Sequence, residues 1–323
     1  MTLGVSGVRR GWVVGIFFAA GAVMAQGYPV KPIRMIVPFA PGGPNDLLAR
    51  LAGQKITEQL HQPVVIENRG GAGGTVGLDA AARAAGDGYT LSMGGSSNMA
   101  VAPSLYAKLP YDPVRDFTPI INIAHVPYAV AVNPTVPAKN AKELVVAARA
   151  KGLSYGSSGA GSMSSLAAEL FKSMAKANIV HVPYKGTAPA LTDVMSGQID
   201  MMFADLALIQ PHVMSNRLRV LAVCGSKRLA GAPNIPTIAE SVFKGYVIEP
   251  WFGVVGPANV PREIVLRLNQ VLNAGLKSVD SQQRLTSLGY EVIGGSAQEF
   301  EAAIKSDIAV YARIIKSAGI KGE

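Results

Sequence analysis

The stretch Val37-Pro38-Phe39-Ala40-Pro41-Gly42-Gly43-Pro44-Asn45-Asp46-Leu47-Leu48-Ala49-Arg50 constrains this chain more than any other. Residues 34–39 are largely apolar and partly β-branched, as a buried strand requires. Leu48, Leu51, Ala52 and Ile56 then recur at helical spacing. Between them, Gly42 and Gly43 permit backbone conformations and close approaches that a Cβ forbids. Pro44 and Asn45 supply start-of-helix chemistry. The helix start presents unpaired N–H groups and partial positive charge, which suits a small carboxylate. The same strand-to-helix turn recurs throughout α/β folds without any ligand. From this stretch alone, both readings stand.

At 323 residues the chain has the length of two domains, and 49% hydrophobic residues with 35 glycines supply sizeable cores and many tight turns. That composition argues for a folded protein and against disorder. Residues 1–25 read as a secretory signal: Arg9 and Arg10, an apolar core over 11–22, then Val23-Met24-Ala25 before a cleavage expected ahead of Gln26. That core is too short for a comfortable membrane span. The one cysteine, Cys224, sits in an apolar run and forms no internal disulfide. A soluble periplasmic protein of a bacterial envelope is the expected product. Loss of Arg9 and Arg10 takes Lys+Arg from 30 to 28 against 21 acidic residues, leaving about +7. A positive field favours anionic ligands. No dense basic run with interleaved aromatics points to nucleic acid, so none is expected as a partner.

Strands are expected over 64–68 and 89–93, with an alanine-rich helix between them to about residue 85. The third strand runs into Gly94-Gly95-Ser96-Ser97-Asn98. Alternating strands and helices indicate a mostly parallel sheet flanked by helices, with ligands bound beyond the carboxyl ends of the strands. Residues 103–119 are turn-rich and read as an irregular excursion. A strand over 126–132 crosses into a second lobe. There, helix 141–151, strand 153–157, the loop Ser158-Gly159-Ala160-Gly161-Ser162-Met163-Ser164-Ser165 and helix 166–176 repeat the opening design with hydroxyls added. Further strands are read at 179–184, 199–204 and 217–223, with a short helix at 189–196. The strand over 199–204 sets Asp205 at its carboxyl end. A return crossing follows near 248–256. Helices are then expected at 261–277, 280–288 and 296–318, with a short strand at 290–293. The expected division is lobe 1 over 26–125 and 248–323, and lobe 2 over 126–247.

Most enzyme signatures fail. The glycines from Gly70 to Gly77 do not make G-x-G-x-x-G, no Walker sequence exists, and the serines near Ser96 and Ser158 do not form G-x-S-x-G. His61, His125, His181 and His212 lack metal-ligand spacing, so no metal and no cofactor is expected. Ser173-Met174-Ala175-Lys176 matches S-x-x-K, but it falls late in a helix and lacks its companion motifs. Asp205 reads either as a structural cap or as an acceptor for a ligand's ammonium or hydroxyl. Without a partner acid or base, it is poor evidence for general acid–base catalysis.

Several residues together resemble a known family. Pro38-Phe39-x-Pro41-Gly42-Gly43-x-x-Asp46-x-x-Ala49-Arg50 is similar to the opening motif of Bug-type receptors, the extracytoplasmic solute receptors of tripartite tricarboxylate transporters. Glu67-Asn68-Arg69-x-Gly71-Ala72-Gly73-Gly74, Asp87-Gly88-Tyr89-Thr90 and Tyr111-Asp112-x-x-x-Asp116-Phe117 also match. So do Val182-Pro183-Tyr184-Lys185-Gly186 and Gly197-x-x-Asp200-x-x-Phe203-x-Asp205. The resemblance implies a type II periplasmic-binding-protein fold, in which two α/β lobes close like a flytrap. It also implies carboxylate binding by backbone N–H groups and ordered waters. By position it assigns ligand contact to Phe39, Ala40, Gly42, Gly43 and Asp46, to Ser96 and Asn98, to Ser158, Gly161 and Ser162, and to Asp205. The chain departs from the family at Ser165, where members often carry histidine, at Ala168, where glycine is usual, and at Gly86, where proline is.

The expected function is therefore non-catalytic: capture of a small organic carboxylate (a dicarboxylate, an acidic amino acid or an aromatic carboxylate) and its delivery to membrane permease subunits by a monomeric receptor. Closure is expected as a hinge motion near 124–128 and 245–250. Two rivals remain at this level, a ligand-dependent adaptor for a sensor kinase ectodomain and an envelope hydrolase using a serine of the second lobe.

Overall fold

The structure is a computed structural model that describes residues 1–2 and 27–320. Apart from Met1 and Thr2, the expected leader lies outside the described residues. The first strand, β1 (Ile33–Val37), enters the loop at Phe39 and leads to α1 (Pro44–Leu60). Pro44 sits in the first turn of α1, where its missing N–H costs nothing, and Asp46 places negative charge there. β2 (Val64–Asn68), a short 3-10 turn over Ala72–Gly74, α2 (Thr75–Ala82) and β3 (Thr90–Gly95) follow. After β3 the chain winds into a wide helical turn, Ser96–Val101, that continues as α3 (Ala102–Leu105). β4 (Phe117–His125) then spans nine residues.

The second sheet begins at β5 (Tyr128–Val132), followed by α4 (Ala141–Lys151), β6 (Leu153–Ser157), α5 (Met163–Ala175) and β7 (Ile179–Pro183). Then come α6 (Thr187–Ser196), β8 (Met201–Asp205), α7 (Leu206–Met214), β9 (Arg219–Val223) and the short α8 (Ile238–Ser241). The chain returns through β10 (Trp251–Pro257), α9 (Arg262–Lys277), α10 (Val279–Ser287), β11 (Glu291–Gly294) and α11 (Ala297–Ala318). A Ser296–Glu299 capping box starts α11, and Gly319 in the left-handed region ends it.

Two sheets result, ordered β11-β4-β10-β3-β1-β2 and β7-β6-β8-β5-β9. Both are mixed. β1 runs parallel to β2 and β3, and β6 runs parallel to β7 and β8. The antiparallel pairings are β10 against β3 and β4, β11 against β4, and β5 against β8 and β9. The crossings lie side by side, since Val126 N–H donates to the Pro250 carbonyl at 2.8 Å and Trp251 pairs with His125.

The sequence reading gave neither α3 nor α8, and two further elements differ from it. Residues 117–125 form a full strand where an irregular excursion was expected up to residue 119, with Ile120, Ile121, Ile123 and Ala124 buried. α7 follows β8 directly, with the Asp205 side chain accepting the Ala207 N–H at 3.0 Å as its cap. Among the described residues, no helix is long and apolar enough to cross a membrane.

α11 ties the two sheets' layers together. Asp307 accepts the Trp251 indole N–H at 2.6 Å, and the Ala318 carbonyl accepts the Ser173 hydroxyl of α5 at 2.8 Å. Phe300 meets Trp251 edge to face and packs over Gly253 of β10. A Cβ on Gly253 would come within 2.5 Å of the Phe300 ring, and closer still to the Ile121 carbonyl oxygen. Gly253→Ala is therefore expected to lower stability by about 1–3 kcal/mol through overpacking. Urea unfolding checks this, and an unchanged midpoint would show that α11 does not press on β10 at this point.

Candidate functional site

The loop after β1 is held by a carboxylate. Asp46, 6% exposed, accepts Gly42 N–H at 3.2 Å, Arg50 Nε and a terminal Arg50 nitrogen at 3.0 Å each, and Asn68 Nδ2 at 3.1 Å. Asn68 Nδ2 also donates to the Phe39 carbonyl at 3.0 Å. Burial alone would raise this carboxyl, but the bonds from Arg50, Asn68 and Gly42 outweigh it and hold it below the usual carboxylate range. Every lone pair aimed at the loop is thus engaged. Asp46 shapes the loop, and its side chain does not face the cavity described next.

Between the sheets lies a cavity of about 20 Å³. Phe39, Ala40, Gly43, Pro44, Asn45, Ser97 and Phe252, from the β1–α1 loop, the start of α1, the turn after β3 and β10, line one side; Tyr128, Ser158, Met163 and Thr187 line the other. Of the expected contacts, Phe39, Ala40, Gly43 and Ser158 meet here. Asn45, Ser97, Tyr128, Met163, Thr187 and Phe252 were not singled out from sequence. Asn45 and Ser97 are direct neighbours of residues that were, and the other four come from elements brought together only by the tertiary fold. None of the lining residues carries a formal charge.

The remaining expected contacts have other partners. The Ser96 hydroxyl accepts Trp251 N–H at 3.0 Å, tying the end of β3 to β10. Asn98 Oδ1 accepts Gly95 N–H at 2.9 Å, while its Nδ2 is buried with no partner. The Ser162 hydroxyl caps α5 by accepting Ser165 N–H at 3.2 Å and shares a 2.9 Å bond with the Ser164 hydroxyl. Ser164, in turn, accepts Ser158 N–H at 2.9 Å and lies 3.0 Å from the Ser158 hydroxyl. This hydroxyl net fixes the second-lobe loop. Ser157 adds the end nearest β7: its hydroxyl meets His181 Nε2 at 2.6 Å and the Gly159 backbone on both N–H and carbonyl at 3.2 Å. Both Ser157 and Ser164 are buried.

Asp205 departs furthest from the expectation. It is 1% exposed and lies away from the cavity lining, accepting Ala207 N–H through Oδ1 and the Tyr290 hydroxyl through Oδ2. Of the two readings of this residue, the structural cap is the one these bonds match. Tyr290 precedes β11, so the bond joins the two sheets' ends beside the crossings.

The mouth of the cleft is shut by backbone contacts. A Cβ on Gly73, whose φ is +62°, would come 2.6 Å from the Ala160 carbonyl oxygen and 2.9 Å from Gly161 C. The Tyr106 hydroxyl donates to the same Ala160 carbonyl at 3.0 Å. On the other side, a Cβ on Gly186 would come 2.9 Å from Ala40 Cβ, and one on Gly70 would come 3.3 Å from the Lys185 carbonyl oxygen. Gly161 belongs to this seam, and Gly42, with φ +88°, makes the turn behind it. A separate groove of about 590 Å³ lies outside the cleft between Tyr106, α5 and Ile320. Its acidic residue, Glu169, already pairs with Lys172 at 3.4 Å and accepts the Tyr155 hydroxyl at 2.7 Å.

Residues 48–320 match the family described as the tripartite tricarboxylate transporter family receptor. Protein BugT of Bordetella pertussis is 34% identical over 316 residues, covering 96% of this chain and 97% of that one. Among solved structures, an R. palustris protein determined with adipate is 36% identical with a TM-score of 0.88, covering 92% of this chain and 100% of its own. MatC from Rhodopseudomonas palustris, with bound malate, is 30% identical with a TM-score of 0.86, covering 89% of this chain and 100% of its own.

Two expected outcomes follow from this geometry. Burial pushes the Asp205 carboxyl up to about 7, against the lowering pull of Tyr290 and the Ala207 N–H. A carboxyl raised on folding stabilises the protein while protonated, so its contribution falls as pH rises from the unfolded range near 3.8 through 7. His181, lowered by burial from 6.5, acts in the opposite sense, so the difference between variant and parent isolates Asp205. Unfolding free energy measured between pH 5 and 8 should fall less in Asp205→Asn than in the parent; parallel curves would contradict it. At the mouth, Gly73→Ala should part the jaws at a cost of about 1–3 kcal/mol to the closed state. Solution scattering should then give a larger radius of gyration than the parent, and equal radii would remove Gly73 from the seam.

Proposed function

The chain belongs to the tripartite tricarboxylate transporter receptor family, and we propose that it captures a small organic carboxylate between its two lobes and presents it to a membrane permease. The observation that carries this reading is the interlobe cavity itself. On one side stands the N-terminus of the 17-residue α1, whose first N–H groups have no intrahelical acceptor. Facing it are Ser158 and Thr187. Neutral donors and a helix dipole hold a carboxylate through short charge-assisted bonds without trapping it as a buried ion pair. Adipate and malate in two structural relatives agree with that chemistry.

A cavity of about 20 Å³ has room for little more than one water. Small-molecule sites typically need about 300 Å³ or more, so the ligand enters an open form and the lobes close around it to a larger cavity than this one. Lobe 1 then comprises 26–125 with 248–323, and lobe 2 comprises 126–247. The hinges are the paired crossings near 124–128 and 245–250. Cleavage before Gln26 would release the receptor into the periplasm as a monomer.

The chemistry proposed is binding without turnover. Among the described residues, the hydrogen-bonded serine–histidine pair that could suggest a nucleophile is Ser157 with His181, and Ser157 is wholly buried and bonded back to its own loop. Ser158 does reach the cavity, but its hydroxyl partner is Ser164. A thermal-shift panel of adipate, malate, aspartate, benzoate and glucose tests the reading. A ligand at 100 times its dissociation constant should add about 2.7 kcal/mol of stability. At least one carboxylate is expected to raise the melting temperature; a shift with glucose alone would overturn the proposal.

A further inference from the structure

Four buried side-chain polar atoms have no hydrogen-bond partner among the described residues: Asn45 Oδ1, Asn98 Nδ2, Asn122 Oδ1 and His125 Nδ1. Asn45 is the member of this set that lines the interlobe cavity. It is 5% exposed, and no hydrogen bond engages its side chain among the described residues. A buried amide without a partner is costly unless something else satisfies it. Here the open side is the cavity, next to the N-terminus of α1 on which Asn45 stands. Either end of the amide can face inward, so it offers an acceptor and a donor.

We infer that Asn45 is the specificity-determining residue of the cleft and that the ligand is a hydroxy-carboxylate, whose hydroxyl the Asn45 amide reads. This deepens the carboxylate-capture reading and rests on it. The helix start meets the carboxylate, while the amide one residue into the helix meets a second polar group on the same molecule. A hydroxyl fits better than an ammonium. The lining holds no acidic side chain, and the nearby Asp46 carboxylate is consumed by Arg50, Asn68 and Gly42. An ammonium would be buried with no counter-charge from the protein. A hydroxyl is neutral, donates to Oδ1 and accepts from Nδ2. Around that polar pair, Phe39, Phe252 and Met163 supply an apolar wall that leaves a plain methylene neutral and the amide unsatisfied.

Succinate, malate and aspartate share one carbon frame and differ only in hydrogen, hydroxyl or ammonium at one carbon. Calorimetric titration of the full chain with each should give malate an advantage of about tenfold over succinate, the scale of one buried hydrogen bond. Aspartate should not exceed malate. In Asn45→Ala the malate-to-succinate ratio should collapse to within about twofold. Asn45→Ser, which keeps a hydroxyl, should retain part of the preference. The unliganded Asn45→Ala protein should melt no lower than the parent, because no protein bond is lost. An unchanged ratio in Asn45→Ala, or succinate equal to malate in the parent, overturns the inference. So does an advantage for aspartate. If adipate or benzoate binds while none of the three does, capture of a carboxylate stands and the hydroxy-ligand assignment fails. If no carboxylate binds at all, both fall.

Discussion

The loop between β1 and α1 depends on one buried carboxylate. Asp46 gathers the Gly42 N–H, the Arg50 guanidinium and the Asn68 amide, and Asn68 carries the Phe39 carbonyl with it. Three segments are thereby fixed together: the turn, the first helix and the end of β2. With the loop fixed, Phe39, Ala40 and Gly43 face the cleft, and the start of α1 points its unpaired donors there. The negative charge is spent inside the loop and not at the cavity wall. That arrangement keeps an acidic side chain close to the cavity with its charge offset by Arg50.

The opposite jaw is built by different means for the same end. Hydroxyls of Ser157, Ser158, Ser162 and Ser164 replace the carboxylate as the fastener of the loop, and His181 stands behind them. Glycines let the two jaws meet backbone to backbone at Gly73, Ala160 and Gly161. Behind the cleft, the Tyr290–Asp205 bond and the Ser173–Ala318 bond join the halves near the crossings and along α11. On the proposed closure, opening would part the backbone contacts at the front while these rearward bonds hold or flex. That asymmetry fits the proposed hinge at the crossings.

Much of this was legible in the sequence, and the exceptions have physical causes. The strand–glycine–helix pattern at 37–50 announced the first jaw, because hydrophobic period and turn chemistry are local properties. The serine-rich loop at 158–165 announced the second for the same reason. β4 was obscured because Pro113 and Pro119 suggested irregular chain, whereas the pairing of β4 with β10 and β11 is a long-range property. Asp205 and Asp46 stood at strand or helix ends next to the cleft, and sequence could not tell which way each carboxylate turned. Their partners, Tyr290 and Asn68, lie 85 and 22 residues away. Thr187 and Phe252 reach the cavity only through the packing of one lobe on the other, and no local pattern marks them.

The central claim is that a carboxylate sits between the start of α1 and the serine loop. A crystal structure of the protein with a carboxylate that raises its melting temperature tests this most directly. The account predicts the carboxylate within hydrogen-bond distance of the first N–H groups of α1, with Ser158 or Thr187 on its other side. Ligand density in the outer groove beside Lys172 and Lys176, with the interlobe cavity filled only by water, would contradict it.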